Sequence, residues 1–134
     1  MFSSVSKKHK QISNNKGWIE HNADEIYFNV LNLVKKTPLV KTSIKGLNKS
    51  DFKKTYREGG MNIAQIIHHW CDTHTYAFLR TKHTLLEDNP NVKMYEVDEF
   101  LSTADSNTLD VKDSLNIIEG IHSKWVGLLK SISE

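Results

Sequence analysis

The stretch NIAQIIHHWCDTHTYAFLRTKHTLL, residues 62–86, decides the fold. Its apolar residues recur at spacings near three, four and seven, which predicts an amphipathic helix. They are Ile63, Ile66, Ile67, Trp70, Phe78 and Leu85. Asn62 is a candidate N-cap, because its side chain can accept a backbone N–H of the first helical turn. We therefore expect the longest helix of the chain to follow Asn62 and to end near Leu86.

Two further amphipathic segments flank this helix. One starts at Trp18, and we expect Pro38 to stop it, since proline cannot continue a helix. The other starts near Asp110 and keeps apolar residues at helical spacing as far as Ile132. No strand-like alternation competes with these segments. The sequence therefore predicts an all-α helical bundle, and a fourth helix would have to come from elsewhere to close it.

The connections suggest one helical domain behind an N-terminal arm. Residues 1–15 are polar and unpatterned, so we expect a flexible arm there and a helical bundle domain over 16–134. Lys45–Lys54 is a polar connection with a capped turn. Asn91–Thr108 is a long connection, for which Tyr95 and Phe100 are candidate anchors.

Composition excludes several classes of protein. The 134 residues are 38% hydrophobic and 25% charged with a net charge of +2, which is typical of one soluble globular domain. No basic stripe with interleaved aromatic residues suggests nucleic-acid binding. No apolar run suggests a membrane span or a secretory signal, so the expected location is the cytoplasm. The single cysteine, Cys71, cannot form an internal disulfide and is expected in the core.

The central helix carries the residues that could form a site. His69 and Asp72 are three positions apart and share a helix face. His68 is rotated from His69 by about 100°, and His74 also lies off the face of His69. The segment cannot build a complete metal site by itself, but it can supply one imidazole ligand. Asp72 could then orient that imidazole. The sequence identifies no catalytic residue.

Each candidate also has a structural alternative. The histidines can fill polar niches between helices, and Asp72 can pair with Arg80 or Lys82. Arg57 can hold the neighbouring glycine loop against the bundle, or form a surface ion pair that contributes little. On the last helix, His122 lies near the apolar face, and we expect an interhelical histidine there rather than a ligand.

Residues 56–74 read YREGGMNIAQIIHHWCDTH. This stretch resembles the YfiT branch of the DinB-like superfamily, which typically reads YR-(D/E)-GGW-T-x-x-Q-V-V-H-H-x-x-D-S-H there. The resemblance continues through residues 76–82, 87–96 and 115–129, and so covers most of the chain. Met61 stands where the family usually has Trp, and Thr73 where it usually has Ser.

The resemblance implies an up-down four-helix bundle, usually homodimeric, with a divalent ion of Zn, Ni or Mn held by three histidines. By alignment the first ligand is His69. Supporting positions are Asp72, His68, His74 and Arg57. The other two family ligands come from an H-x-x-x-H motif on the fourth helix, which has no counterpart in this sequence, since no histidine follows His122.

The implied activity is that of a metal-dependent hydrolase, or of a transferase that moves a bacillithiol-type thiol onto a small-molecule electrophile. In the second case the ion would bind sulfur and favour the thiolate. Because two ligands cannot be placed, we expect an incomplete metal site with the fourth helix missing or supplied by a partner. The alternative is a non-catalytic helical module for dimerisation or interaction, descended from the same family.

Overall fold

The computed structural model describes residues 11–13, 19–21, 36–91 and 93–132. These ranges form four α-helices, two short 3₁₀ helices and a two-stranded sheet. The elements are β1 (Gln11–Ser13), β2 (Ile19–His21), α1 (Thr37–Ile44), α2 (Ile63–Leu86), α3 (Val97–Leu101) and α4 (Lys112–Ile132), with 3₁₀ helices at Asp51–Lys53 and Asp105–Asn107. The two long helices, α2 and α4, pack against each other and carry most of the core.

Near the N-terminus, β1 and β2 pair antiparallel, with Ile12 opposite Glu20. The prediction of a helix from Trp18 is therefore wrong at Ile19–His21, and the unpatterned arm contains a paired segment at Gln11–Ser13. Three residues are too few to show the period-two alternation that identifies a strand. The rest of the predicted first helix up to residue 35 lies outside the described residues. The boundary between arm and domain stays a prediction.

Pro38 lies at the beginning of a helix. It lies in the first turn of α1, after the N-cap Lys36. Proline suits this place because the first backbone N–H groups of a helix have no intrahelical partner, and its fixed φ is already helical. After α1, Gly46 adopts a φ of 94°, the left-handed conformation common just beyond a helix end. Whether Pro38 also ends a preceding helix stays a prediction, since residues 22–35 lie outside the described ranges.

The start of α2 is fixed as the sequence predicts. The Asn62 side chain accepts the backbone N–H of Gln65 at 2.9 Å, and the Gln65 side chain accepts that of Asn62 at 3.0 Å. This reciprocal pair is a capping box, which gives acceptors to two backbone N–H groups that have none within the helix. The helix runs to Leu86, so both its predicted ends are confirmed.

The long connection between α2 and α4 is anchored by aromatic rings. Tyr95 lies 4.3 Å from Phe100 of α3 in a tilted pair and 5.6 Å from Tyr76 of α2 in an edge-to-face pair, measured between ring centroids. The connection ends where the Asp110 carboxylate accepts the Lys112 N–H at 3.1 Å, and α4 begins there as expected. Tyr95 and Phe100 are therefore the anchors that the sequence predicted.

The core lies between one face of α2 and one face of α4. Its buried apolar residues are Ala64, Ile67, Cys71, Val111, Leu115, Ile118 and Trp125. The expected core position of Cys71 is confirmed, and burial raises the pKa of its thiol. Two histidines, His68 and His122, are buried in the same interface. Among the described helices, none is long and apolar enough to cross a membrane.

Candidate functional site

His68 is a buried polar bridge between α2 and the start of α4. Its side chain is engaged at both nitrogens: Nε2 lies 3.1 Å from the Thr108 carbonyl oxygen and Nδ1 lies 2.8 Å from Ser114 Oγ. Because a carbonyl oxygen only accepts, Nε2 donates, and in that tautomer Nδ1 accepts from the Ser114 hydroxyl. Neither nitrogen has a lone pair to offer an ion. His68 therefore occupies an interhelical niche.

His74 belongs to a second network further along α2. Trp70 donates its indole N–H to Nε2 of His74 at 2.7 Å, and Nδ1 of His74 lies 2.5 Å from Nε2 of His122 on α4. Burial lowers the pKa of His74 to about 3, and the nearby His122 and His69 add to the effect. Burial also lowers the pKa of His122. Both rings are neutral near pH 7, and His122 is interhelical as predicted.

His69 points away from this interface and is half-buried. Its Nδ1 lies 3.2 Å from the hydroxyl of Tyr95, while its Nε2 makes no hydrogen bond within the described part of the chain. Burial lowers the pKa of His69, with Asp72 opposing the shift, so the ring is neutral near pH 7. Burial raises the pKa of Tyr95 to about 12, so its hydroxyl keeps its proton.

Asp72 lies near His69 on α2 and is partly buried. Burial and then repulsion from Asp105 raise the pKa of its carboxyl, and the imidazoles of His68 and His69 oppose the shift. None of the ion pairs among the described residues involves Asp72. Arg80 instead donates to the Lys93 carbonyl oxygen at 2.8 Å. The alternative pairing of Asp72 with Arg80 or Lys82 is therefore not what the structure forms.

Arg57 lies in the exposed turn before α2. Its Nε donates to the Tyr56 hydroxyl at 2.9 Å, and the guanidinium carbon lies 5.5 Å from the Tyr56 ring centroid. A Cβ atom at Gly60 would come within 2.9 Å of Cγ of Arg57, so glycine gives this side chain room to fold over the turn. The structure places Arg57 on its neighbour's ring, and no contact within the described residues joins it to His69.

The donors in the described part of the chain do not make up a complete metal site. No group of three or more His, Cys, Asp or Glu side chains in it could hold an ion. His68 and His74 have both nitrogens engaged, and Nε2 of His122 is engaged by His74. His69, with Asp72 nearby, remains. The described donor set therefore fits one metal ligand and not three.

Two features of the site have no signal in the sequence. Tyr95 is predicted as an anchor, but its hydrogen bond to His69 spans 26 positions and depends on how the connection folds back. The bond between His74 and His122 spans 48 positions and depends on the register of α2 against α4. Helical spacing reports only which residues share a face of one helix, so it cannot reveal either pair.

Known proteins similar to this chain are named as putative metal-dependent hydrolases. A "putative metal-dependent hydrolase" of Geobacillus thermodenitrificans is 41% identical over 95 residues, which are 71% of this chain and 53% of that protein. The "putative metal-dependent hydrolase YfiT" of Bacillus subtilis is 28% identical over 95 residues, with the same coverage of 71% and 53%. No family model matches the chain.

A solved structure of one such protein has a fold similar to that of this chain. It is described as YfiT from Bacillus subtilis, "a probable metal-dependent hydrolase with an unusual four-helix bundle topology". It aligns with a TM-score of 0.73 and 25% identity, over 93% of this chain and 67% of that one. The present chain spans about half the length of the curated relatives that it matches.

The fold is thus a helical bundle similar to that of proteins named as putative or probable metal-dependent hydrolases. More specifically, the chain resembles the YfiT-like branch of the DinB-like proteins. The resemblance read from residues 56–74 and the predicted fold class are confirmed. The names of the relatives imply a metal.

Proposed function

We propose that this chain supplies one imidazole donor, Nε2 of His69, to the divalent metal site of a YfiT-type hydrolase or thiol S-transferase. One observation carries the proposal. Among the buried and half-buried histidines of α2, His69 has a ring nitrogen that no described side chain or backbone group engages, while its other nitrogen is hydrogen-bonded to Tyr95. Zn, Ni and Mn are the candidate ions, and imidazole is a suitable ligand for the first two in particular.

The hydrogen bond to Tyr95 sets the geometry of this donor. A phenol oxygen can accept as well as donate, so Nδ1–H of His69 can donate to it and leave the lone pair on Nε2. A hydrogen bond at the second ring nitrogen commonly fixes the tautomer and orientation of a ligating histidine. The ring contacts of Tyr95 with Phe100 and Tyr76 hold the acceptor in place. Asp72 adds negative charge nearby, which favours a cation.

The proposed site needs further ligands besides His69, since one imidazole alone binds an ion weakly. The remaining donors come from residues outside the described ranges or from another polypeptide. His68 and His74 are poor substitutes, because recruiting either would break two buried hydrogen bonds. The proposal also includes a small-molecule substrate or thiol and a cytoplasmic location.

A second candidate function is that of a non-catalytic module that dimerises. One observation favours it: α4 carries a second apolar stripe beside its buried face. The stripe consists of Ile117, Ile121, Leu128 and Ile132, with spacings of four, seven and four. Ile117 is 47% exposed and Ile132 is 49% exposed. Such a stripe is suited to a second helix, so a homodimer through α4 accompanies this proposal.

Metal binding by His69 is best tested with a method that detects weak sites. We would titrate the protein with Mn²⁺ and follow paramagnetic broadening of backbone amide signals by NMR, after metal analysis of freshly purified material. Broadening should centre on His69 and Tyr95 and should disappear in His69→Ala. His83→Ala is the matched control, because His83 is an exposed histidine on the same helix.

The outcomes separate the two candidates. Broadening that persists in His69→Ala, or that follows His83 alone, would contradict the metal-donor role. A monomer–dimer equilibrium measured by sedimentation, abolished by Ile117→Glu while metal is absent throughout, would favour the interaction module. If metal binds, ester hydrolysis and thiol conjugation to an electrophile should be assayed side by side, since they distinguish hydrolase from transferase.

A further inference from the structure

We propose that the cavity between α1, the first 3₁₀ helix and the start of α4 binds a small amphipathic anion of the size of a medium-chain carboxylate. The cavity has a volume of about 370 Å³ and is open to solvent on one side. Cavities that hold small-molecule ligands commonly measure roughly 300–1,000 Å³. The lining does not include His69, Asp72 or Tyr95, so this site is separate from the proposed metal donor.

The floor of the cavity is part of the hydrophobic core. Val111 and Leu115 are buried core residues that also line the cavity. Three half-buried side chains that pack against the core complete the apolar lining: Ile44 of α1, Phe52 of the first 3₁₀ helix and Leu109 of the long connection. An apolar chain bound there would extend the core and leave water, which is favourable in proportion to the apolar area that is buried.

Hydrogen bonds on both sides hold the walls of the cavity in place. At the 3₁₀ helix, the Asp51 side chain accepts the Asn48 backbone N–H at 3.0 Å, and the Asn48 side chain accepts that of Asp51 at 3.2 Å. On the other side, buried His68 bonds to Thr108 and Ser114, each of which is followed in the sequence by a lining residue. A site that is formed before the ligand arrives loses less entropy on binding.

The charged side chains of the lining favour an anionic head group. Lys41, Asp110 and Lys112 are the three that line the cavity. Lys41 pairs with Glu119, and the Asp110 carboxylate accepts the Lys112 backbone N–H at the start of α4, where the helix dipole favours negative charge. None of the ion pairs among the described residues involves the Lys112 ammonium. Lys112 is therefore the cation for the head group.

The first test uses the wild-type chain and sodium octanoate below its micelle concentration. Backbone amide signals are followed by NMR during the titration, and saturable shifts should centre on Phe52 and Leu109. Each buried methylene contributes about fourfold in affinity, so heptanoate should bind about fourfold more weakly than octanoate. Shifts that do not saturate, that spread evenly over the chain or that do not depend on chain length would overturn the proposal.

The second test changes the rim of the cavity and leaves the core intact. Lys112→Met removes the charge but keeps an apolar side chain, so it should weaken octanoate binding about threefold to fivefold and leave 1-octanol binding unchanged. Asn116→Trp places a ring at an exposed lining position and should weaken the binding of both probes at least tenfold. Lys124→Met and Ser123→Trp, at exposed positions further along α4, are the matched controls.

Two results would contradict the site. One is a Lys112→Met variant that binds octanoate as the wild type does, or that loses octanoate and 1-octanol equally. The other is undiminished octanoate binding by an Asn116→Trp variant whose circular dichroism matches that of the wild type.

Discussion

Two adjacent histidines on α2 have opposite environments. His68 faces α4, is 5% exposed and is engaged at both ring nitrogens by Thr108 and Ser114. His69 faces the aromatic cluster of the long connection and is engaged at one nitrogen only, by Tyr95. The difference teaches that residue type does not decide which imidazole is available as a ligand. The partners supplied by distant segments decide it, since each hydrogen bond uses a proton or a lone pair.

The same comparison distinguishes histidines that stabilise the helical interface from the histidine that is available as a ligand. The histidines that hold the helices together, His68, His74 and His122, have their lone pairs or protons engaged within the protein. His69 contributes less to the interface and keeps a nitrogen for something else. Substitutions of His68, and of His69 and its neighbours, test this division of roles.

The largest expected effect is that of His68→Ala. The variant leaves the Thr108 carbonyl and the Ser114 hydroxyl without their imidazole partner and opens a cavity in the interface. We expect a loss of about 2–4 kcal/mol in the free energy of unfolding, from the unsatisfied groups and the lost packing together. His69→Ala should cost at most about 1 kcal/mol. Urea denaturation followed by circular dichroism measures both, and equal losses would show that the two environments do not differ.

A smaller effect is expected for Tyr95→Phe. The variant keeps the aromatic ring contacts but removes the hydroxyl that contacts Nδ1 of His69. The loss of one hydrogen bond should cost about 0.5–1.5 kcal/mol and should change the ¹⁵N shifts of the His69 ring. Tyr76→Phe is the control, because its hydroxyl donates to the Met94 carbonyl at 3.4 Å and not to His69. A His69 ring that does not respond to Tyr95→Phe would contradict the positioning role.

The smallest effect, of opposite sign, is expected for Asp72→Asn. The pKa of Asp72 is raised in the folded chain, so folding favours the protonated carboxyl. Its contribution to stability is present below the unfolded pKa of 3.8 and is lost as the pH rises through the folded pKa. At pH 7 the amide should therefore stabilise by less than about 1 kcal/mol, because solvent screens a half-exposed group. The gain should shrink towards pH 4, and a destabilised variant at pH 7 would show that the carboxylate has a partner.

Much of the helical framework could be predicted from the sequence, because its signals are local. Asn62 and Gln65 lie three positions apart, so the capping box can be read directly. The apolar spacing of α2 and α4 likewise depends on one helix at a time. That Pro38 lies in the first turn of α1 was not predicted, because proline is compatible with the start of a helix as well as with its end. The pairing of Gln11–Ser13 with Ile19–His21 was missed because three residues give no periodic signal.

The candidate site was predictable only in part. Family resemblance and helical spacing single out His69 and place Asp72 on its face. Nothing local shows that Tyr95 will bond to His69, or that His74 and His122 will pair, since these contacts depend on tertiary register. The supporting role assigned to His74 stays a prediction. Its observed hydrogen bonds connect it to the α2–α4 interface.

Three side-chain hydrogen bonds from α2 to later segments are nested along the chain. Arg80 reaches Lys93 across 13 positions, His69 reaches Tyr95 across 26, and His68 reaches Thr108 across 40. Closing a loop costs entropy that grows only with the logarithm of its length, and a short loop formed first reduces the length left to close. The hairpin between α2 and the long connection can therefore form from its turn outward, each contact bringing the next pair within reach.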